Sequence, residues 1–440
     1  MVTTTTSPLA LIPRPEAIAG AGRRTWSRRT SFWLAIATQV LVLAASNFPT
    51  PLFPIYAQRY HFGAATVTLL FSVYVAALIP AMLTLGRITD RVGRRPALVA
   101  GMAITAVSSV AFAAARNVAW LFAGEIIYGI AAGLVMSATT VTIRELHPKQ
   151  HASSGALAAM AAVAAGLTLG PLVSGALATV TSSPTVAPFL LDIVVAVALA
   201  LALLRIPETR PAINGDQVRP PVLHVPSSIR RTWGATTLAS ASGWMFMGWI
   251  LGLSPSFLHE QLGIQISQPI IAGLFAGAVV FTNGLTQILL RRHHEKAGVL
   301  RVGIALIPAG LAVFAMSPHI GGLAAALVGG MIGGVGGGIV QPNTMATIQA
   351  IAPDHARGGV TSAYLSVSYL AMSVPVVVAG LAASVIGLDL ATVATAYLAA
   401  TAVIATAAIA ASLATARQPE PVEDVFEILE YAPGSTELVA

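Results

Sequence analysis

The sequence predicts an all-α integral membrane protein with twelve transmembrane helices in two parallel six-helix repeats. Composition is the first of three observations behind this: hydrophobic residues make up 56% of the 440-residue chain and charged ones only 9%, against roughly 25% charge in soluble domains. A surface so poor in charge is solvated by lipid. The second is that apolar stretches long enough to cross about 30 Å of hydrocarbon as helices recur at 32–54, 66–86, 96–115, 119–141, 154–178, 187–205, 232–257, 268–290, 298–317, 320–342, 359–384 and 391–414. The third is a weak internal repeat at an offset of 204 residues. In lipid only helices and closed barrels satisfy their backbone, and long unbroken apolar runs exclude the barrel.

The repeat is carried by residues with backbone consequences. Thr50-Pro51-Leu52-Phe53, closing the first span, is echoed by Ser254-Pro255-Ser256-Phe257 at the end of the seventh. Gly129 and Gly133 of the fourth span match Gly333 and Gly337 of the tenth, and Gly155 and Pro171 of the fifth match Gly359 and Pro375 of the eleventh. Pairs six spans apart in one orientation imply parallel halves. The chain then divides into a basic tail (1–31), a first half (32–205), a linker (206–230), a second half (231–414) and an acidic tail (415–440). Pro207, Pro211, Pro220, Pro221 and Pro226 make the linker polar and stiff. Glu420, Glu423, Asp424, Glu427, Glu430 and Glu437 mark the tail as solvated.

Orientation follows from arginine and lysine. With the N-terminus cytoplasmic, 22 of the 24 Lys and Arg residues fall inside, leaving Arg59 and Arg116 outside. Such a bias places both ends in the cytoplasm of a cell inner (plasma) membrane. The net charge of +7 is thereby explained by topology and calls for no nucleic acid. The first 31 residues hold no apolar stretch, so the first span is expected to be its own insertion signal. There is no cysteine, which excludes disulfides and thiol chemistry. No phosphate-binding loop or metal-spaced His/Cys set is present, and the nine histidines fall in loops or at span ends. An enzyme is not expected.

Gly86-Arg87-Ile88-Thr89-Asp90-Arg91-Val92-Gly93-Arg94-Arg95-Pro96 lies between the second and third spans. Gly86 permits close helix approach, Gly93 permits a turn closed to other residues, and Asp90 is an anion suited to a helix N-terminus. This G-x-x-x-D-R-x-G-R-R pattern resembles the signature of the major facilitator superfamily, found in the same loop. The resemblance implies that Gly86, Asp90, Arg91, Gly93, Arg94 and Arg95 form a conformational gate. Gly166-Leu167-Thr168-Leu169-Gly170-Pro171-Leu172-Val173-Ser174-Gly175 resembles the fifth-helix motif of that family's antiporters. Gly166, Gly170, Pro171 and Gly175 would then form a tight seam between halves, although Ser174 stands where a further glycine is usual. In the fourth span the family pattern places an arginine four residues ahead of a glycine. Here Gly124-Glu125-Ile126-Ile127-Tyr128-Gly129 puts a glutamate at that position.

Glu125 and Asp192 are carboxylic acids inside apolar runs, each costing on the order of 2.5 to 3.5 kcal/mol in hydrocarbon, so both are candidates for proton coupling. By the family's arrangement the sixth span is peripheral, which weights Asp192 toward a structural role. Depth counting sets Glu125, Asn47, Trp249 and Asp192 in one layer about 7 Å outward of the midplane. Gln39, Asn47, Tyr74, Tyr128, Trp244, Trp249, Asn283 and Gln341 are the candidates for a substrate cavity, aromatic with a few polar handles. With no nucleotide motif the expected driving force is a proton gradient, with no cofactor. The expectation is a monomeric, proton-coupled efflux antiporter of small hydrophobic or cationic compounds, of the multidrug-resistance type. The alternatives are a proton-coupled uptake symporter of a small organic solute and a non-transporting membrane sensor of the same fold.

Overall fold

The computed structural model describes residues 25–148, 152–209, 223–290, 297–354 and 356–416. The side chains of Arg87, Ile88 and Asp90 fall outside that description, as do most of the basic tail, 210–222 of the linker and the acidic tail from 417. The first half comprises α1 (Arg28–Ala45), α2 (Phe53–Tyr60), α3 (Ala64–Val92), α4 (Arg94–Ala113), α5 (Val118–Leu146), α6 (Ala152–Val180) and α7 (Ala187–Leu203). The second comprises α8 (Arg230–Gly252), α9 (Ser254–Leu262), α10 (Pro269–Leu289), α11 (Ala297–Ala315), α12 (Ser317–Ile320), α13 (Gly322–Ile351), α14 (Arg357–Leu381) and α15 (Leu390–Ala416). Among the described residues ten helical stretches are long and apolar enough to cross a membrane. Of the others, α7 is a shorter apolar helix of 17 residues, and α8 carries Arg230, Arg231 and several hydroxyl side chains.

Proline decides where the first and seventh spans break. The first apolar run continues past Ala45 as a 3-10 turn at Thr50–Leu52 and then as α2, because Pro49 and Pro51 supply no N–H to a helical ladder. The seventh breaks at Leu253, with Pro255 in the first turn of α9. Glycine decides how closely helices approach. A Cβ on Gly133 of α5 would lie 2.6 Å from that of Ala81 in α3, and one on Gly337 of α13 would lie 2.7 Å from Asn283 Nδ2 in α10.

Outward positions are apolar: Val194 is 66% exposed, Val378 61% and Val403 69%. Water would not tolerate such a belt, and hydrocarbon does. The halves meet where α6 packs along α10 and α3 along α14. Among the described residues the hydrogen bonds joining the halves lie toward the end remote from Gly93. There the Ala65 N–H donates to Ser384 Oγ (2.9 Å), the Ile270 N–H to Thr179 Oγ1 (3.1 Å) and Ser72 Oγ to the Ser373 carbonyl (3.4 Å). The first two are the same device twice, since Ala65 and Ile270, like Thr179 and Ser384, stand 205 residues apart. In each, a hydroxyl of one half caps the first turn of a long helix in the other.

Candidate functional site

A cavity of about 320 Å³ lies between the halves. Its walls are mostly apolar, and Met136, Met160, Met247 and Met372 give them adaptable, polarisable surface. Phe53, Phe71, Tyr74, Trp244 and Tyr369 add aromatic faces, with Trp244 and Tyr369 4.8 Å apart between ring centroids. Polar groups are segregated. The first half contributes Glu125 with Ser46 and Asn47, the second an amide set in which Gln287 Nε2 donates to Asn283 Oδ1 (2.7 Å) and Gln341 Oε1 (3.2 Å). Glu125 is 3% exposed and has no hydrogen bond or ion pair among the described residues. A lone carboxyl on an apolar wall is the strongest chemical feature of the cavity.

Of the candidates read from the sequence, Glu125, Asn47, Tyr74, Trp244, Asn283 and Gln341 line the cavity. Three others do not. Trp249 is fully buried in the second half against Phe257, Phe314 and Tyr397, because five residues beyond Trp244 is about 140° further round α8. Tyr128 is fully buried beside Phe112 and Ser109, and Gln39 is fully buried within the first half. Asp192 is likewise off the cavity, on α7.

The loop motif is mostly helix. α3 runs through Val92, and Gly93 alone separates it from α4, at φ +99° and ψ 156°, a region that L side chains rarely adopt. The α4 N-terminus is capped by the carboxylate of Glu208, while the expectation that Asp90 sits against a helix N-terminus falls on a side chain outside the described residues. The Arg94 N–H donates to Glu208 Oε1 (2.8 Å) and the Arg95 N–H to Oε2 (3.1 Å). The Arg94 guanidinium is buried in an ion pair with Glu145 at the end of α5, where Arg28 donates to the Glu145 carbonyl. Arg91 is partly buried, and Gly86 passes Ser137 of α5.

A helical pair of halves around such a cavity has known counterparts. The family model for the Major Facilitator Superfamily matches residues 35–376. The chain belongs to the Major Facilitator Superfamily. Its members are transporters, so it is not an enzyme. Among superfamily relatives, the multidrug efflux pump LfrA of Mycolicibacterium smegmatis is 31% identical over 153 residues, 34% of this chain and 30% of that protein. The multidrug resistance protein MdtL of Klebsiella pneumoniae is 40% identical over 80 residues, 18% of this chain and 20% of that protein. The chain thus matches less than a third of the length of these relatives. A bacterial homologue of the human lysosomal transporter Spinster, solved inward-facing and unoccupied, superposes with a TM-score of 0.72 at 14% identity, over 90% of this chain and 99% of that one. That likeness shows the superfamily fold.

Within this superfamily fold the small residues of α6 serve two neighbours. A Cβ on Gly166 would lie 2.6 Å from the Val40 carbonyl, and one on Gly170 3.0 Å from Ala44 Cα, both in α1 of the same half. Gly175 instead meets the Pro269 carbonyl (2.8 Å) and Gly273 meets Pro171, both across the halves. Of the four named residues, Pro171 and Gly175 face α10 across the seam, whereas Gly166 and Gly170, four residues apart and so on one face, turn toward α1.

Glu208 was readable in the sequence only as a linker residue, 114 positions from Arg94. Its capping role sets an expected outcome. Glu208→Ala leaves two N–H groups of α4 without their carboxylate and lowers stability by about 1 kcal/mol. Thermal melts of the purified protein check this. Glu208→Gln, which still accepts, recovers part of the loss, and binding of a cavity ligand is unchanged in both.

Proposed function

We propose that this chain exports small hydrophobic or cationic compounds in exchange for protons, by alternating access in a cell inner membrane. Glu125 carries the reading: it is a carboxyl with no ion pair among the described residues, on the wall of a mostly apolar, methionine- and aromatic-lined cavity. A proton or a substrate cation neutralises it, but not both at once, and that competition is sufficient for antiport. The names of LfrA and MdtL support export.

In this reading α7 and α8 join the ten apolar stretches as spans, giving twelve with both ends cytoplasmic. Residues 32–205 and 231–414 are the moving halves, and 206–230 joins them. Cross-half bonds gathered at the end remote from Gly93 support an inward-facing state, the state named for the Spinster homologue.

The test is ligand binding against pH. In reconstituted protein, affinity for tetraphenylphosphonium is expected to fall on acidification, with protons released on binding at neutral pH. The sign follows because the cation needs the ionised carboxylate, which low pH removes. Affinity that rises as pH falls indicates protonation before binding, and so uptake.

A further inference from the structure

The first half holds a second carboxylic acid that the cavity does not use. Asp192 on α7 is fully buried. Its Oδ2 accepts from Ser109 Oγ of α4 and from Tyr128 Oη of α5 (3.4 Å), while the two hydroxyls lie 2.6 Å apart. Oδ1 has no partner. Among the described residues no cation pairs with the group: the only other charged side chains of α1, α4, α6 and α7 are Arg28, Arg29, Arg94 and Arg95 at the far end, and Arg59 of α2 donates instead to Thr185 Oγ1 ahead of α7 (3.1 Å). The titratable neighbours are Tyr128, then Glu125 on the same helix and Tyr56 of α2, which packs on Phe112. Phe112 stacks on Phe189 (4.8 Å) and on Tyr128 (5.5 Å), sealing the hydroxyl pair in apolar surroundings.

Tyr128 follows Glu125 by three residues, roughly 4.5 Å of helix rise, and the two neighbour one another on α5. The Asp192 carboxyl and the two hydroxyls are thus hydrogen-bonded to one another, and Glu125 on the cavity wall stands one helix turn from Tyr128 without a hydrogen bond to it, so a side-chain rotation has to close the last link. Resting on the proton-coupled reading above, we propose that Asp192 is a second proton-holding site, exchanging protons with Glu125 through Ser109 and Tyr128. The balance is simple. Asp192 gives its proton to Ser109 Oγ, Ser109 gives its own to Tyr128 Oη, and Tyr128, once the Glu125 side chain has rotated to meet its hydroxyl, gives its own to ionised Glu125; Asp192 ends ionised and Glu125 neutral. The reverse transfer restores the start. The proton thus reaches Glu125 from behind, without crossing the space that the substrate occupies.

A merely structural cluster would hold α4, α5 and α7 together and would move no protons, so the test separates flux from fold. Ser109→Ala and Tyr128→Phe each break the series while leaving both carboxyls. In proteoliposomes with an internal pH dye, tetraphenylphosphonium-dependent proton flux is expected to fall by about tenfold or more in each variant. Tetraphenylphosphonium exchange at equal pH is expected to stay at the parental rate, and Asp192→Asn to behave alike. Parental proton flux in Ser109→Ala and Tyr128→Phe overturns the relay alone, as does a parallel loss of exchange and flux. Parent protein that exchanges tetraphenylphosphonium with no proton flux overturns the proposed coupling and the relay together.

Discussion

Glu125→Gln is expected to abolish uphill export, lowering gradient-driven transport of tetraphenylphosphonium by about a hundredfold or more. The amide keeps the size and hydrogen-bonding capacity of the side chain and loses titration. It lies on the cavity wall with no ion pair to lose among the described residues, so folding stays intact. Exchange of labelled for unlabelled substrate survives in weakened form, because alternating access needs no proton once both sides hold substrate. Binding also loses its pH dependence. Glu125→Asp, which still titrates, retains coupling at a reduced rate. The measurement is a pair of assays on one preparation, proton-driven accumulation in inverted vesicles and counterflow at equal pH. A glutamine variant that concentrates substrate as well as the parent sinks the assignment.

What a single sequence reveals here is chemistry, while the direction a side chain faces is hidden. Glu125 stands out because a carboxyl in an apolar run is costly wherever it points. Gly93 stands out because a motif with fixed spacing puts a glycine where the backbone turns, and its positive φ is that turn. The prolines at 51 and 255, legible as markers of the repeat, sit where both halves break, since a missing N–H acts locally. Azimuth is another matter. α8 is buried nearly all round, so nothing in its pattern tells Trp244, at the cavity, from Trp249, in the core. The four cavity methionines were equally hidden, because methionine in a membrane helix is ordinary. Glu208 was hidden by distance in sequence, and so were the hydroxyl caps. Serine and threonine are common in such helices, and only the fold brings Ser384 to Ala65, 319 positions away.

Those caps set the second large effect. Replacing Thr179 by Val and Ser384 by Ala together is expected to open the end of the cavity remote from Gly93. Each hydroxyl satisfies an N–H in the first turn of a long helix across the boundary between halves, Ile270 in α10 and Ala65 in α3. Such a cap is worth about 1 kcal/mol, and it exists only while that end is closed. In the opened state water satisfies the same N–H groups, so the loss falls on one state alone. Two caps then shift the balance by about 2 kcal/mol, roughly thirtyfold in the ratio of states. The single variants contribute about half each in free energy, because the caps lie on separate helix pairs and share no residue. The absence of cysteine from the chain makes the readout clean. With Ser46→Cys placed on the cavity wall, labelling by a membrane-impermeant maleimide from outside is expected to speed up in the double variant and to remain slow with Thr179→Ser, which keeps the hydroxyl. Labelling from outside that stays at the parental rate in a double variant that still binds tetraphenylphosphonium would show that the helix seams, and not the caps, hold this end shut.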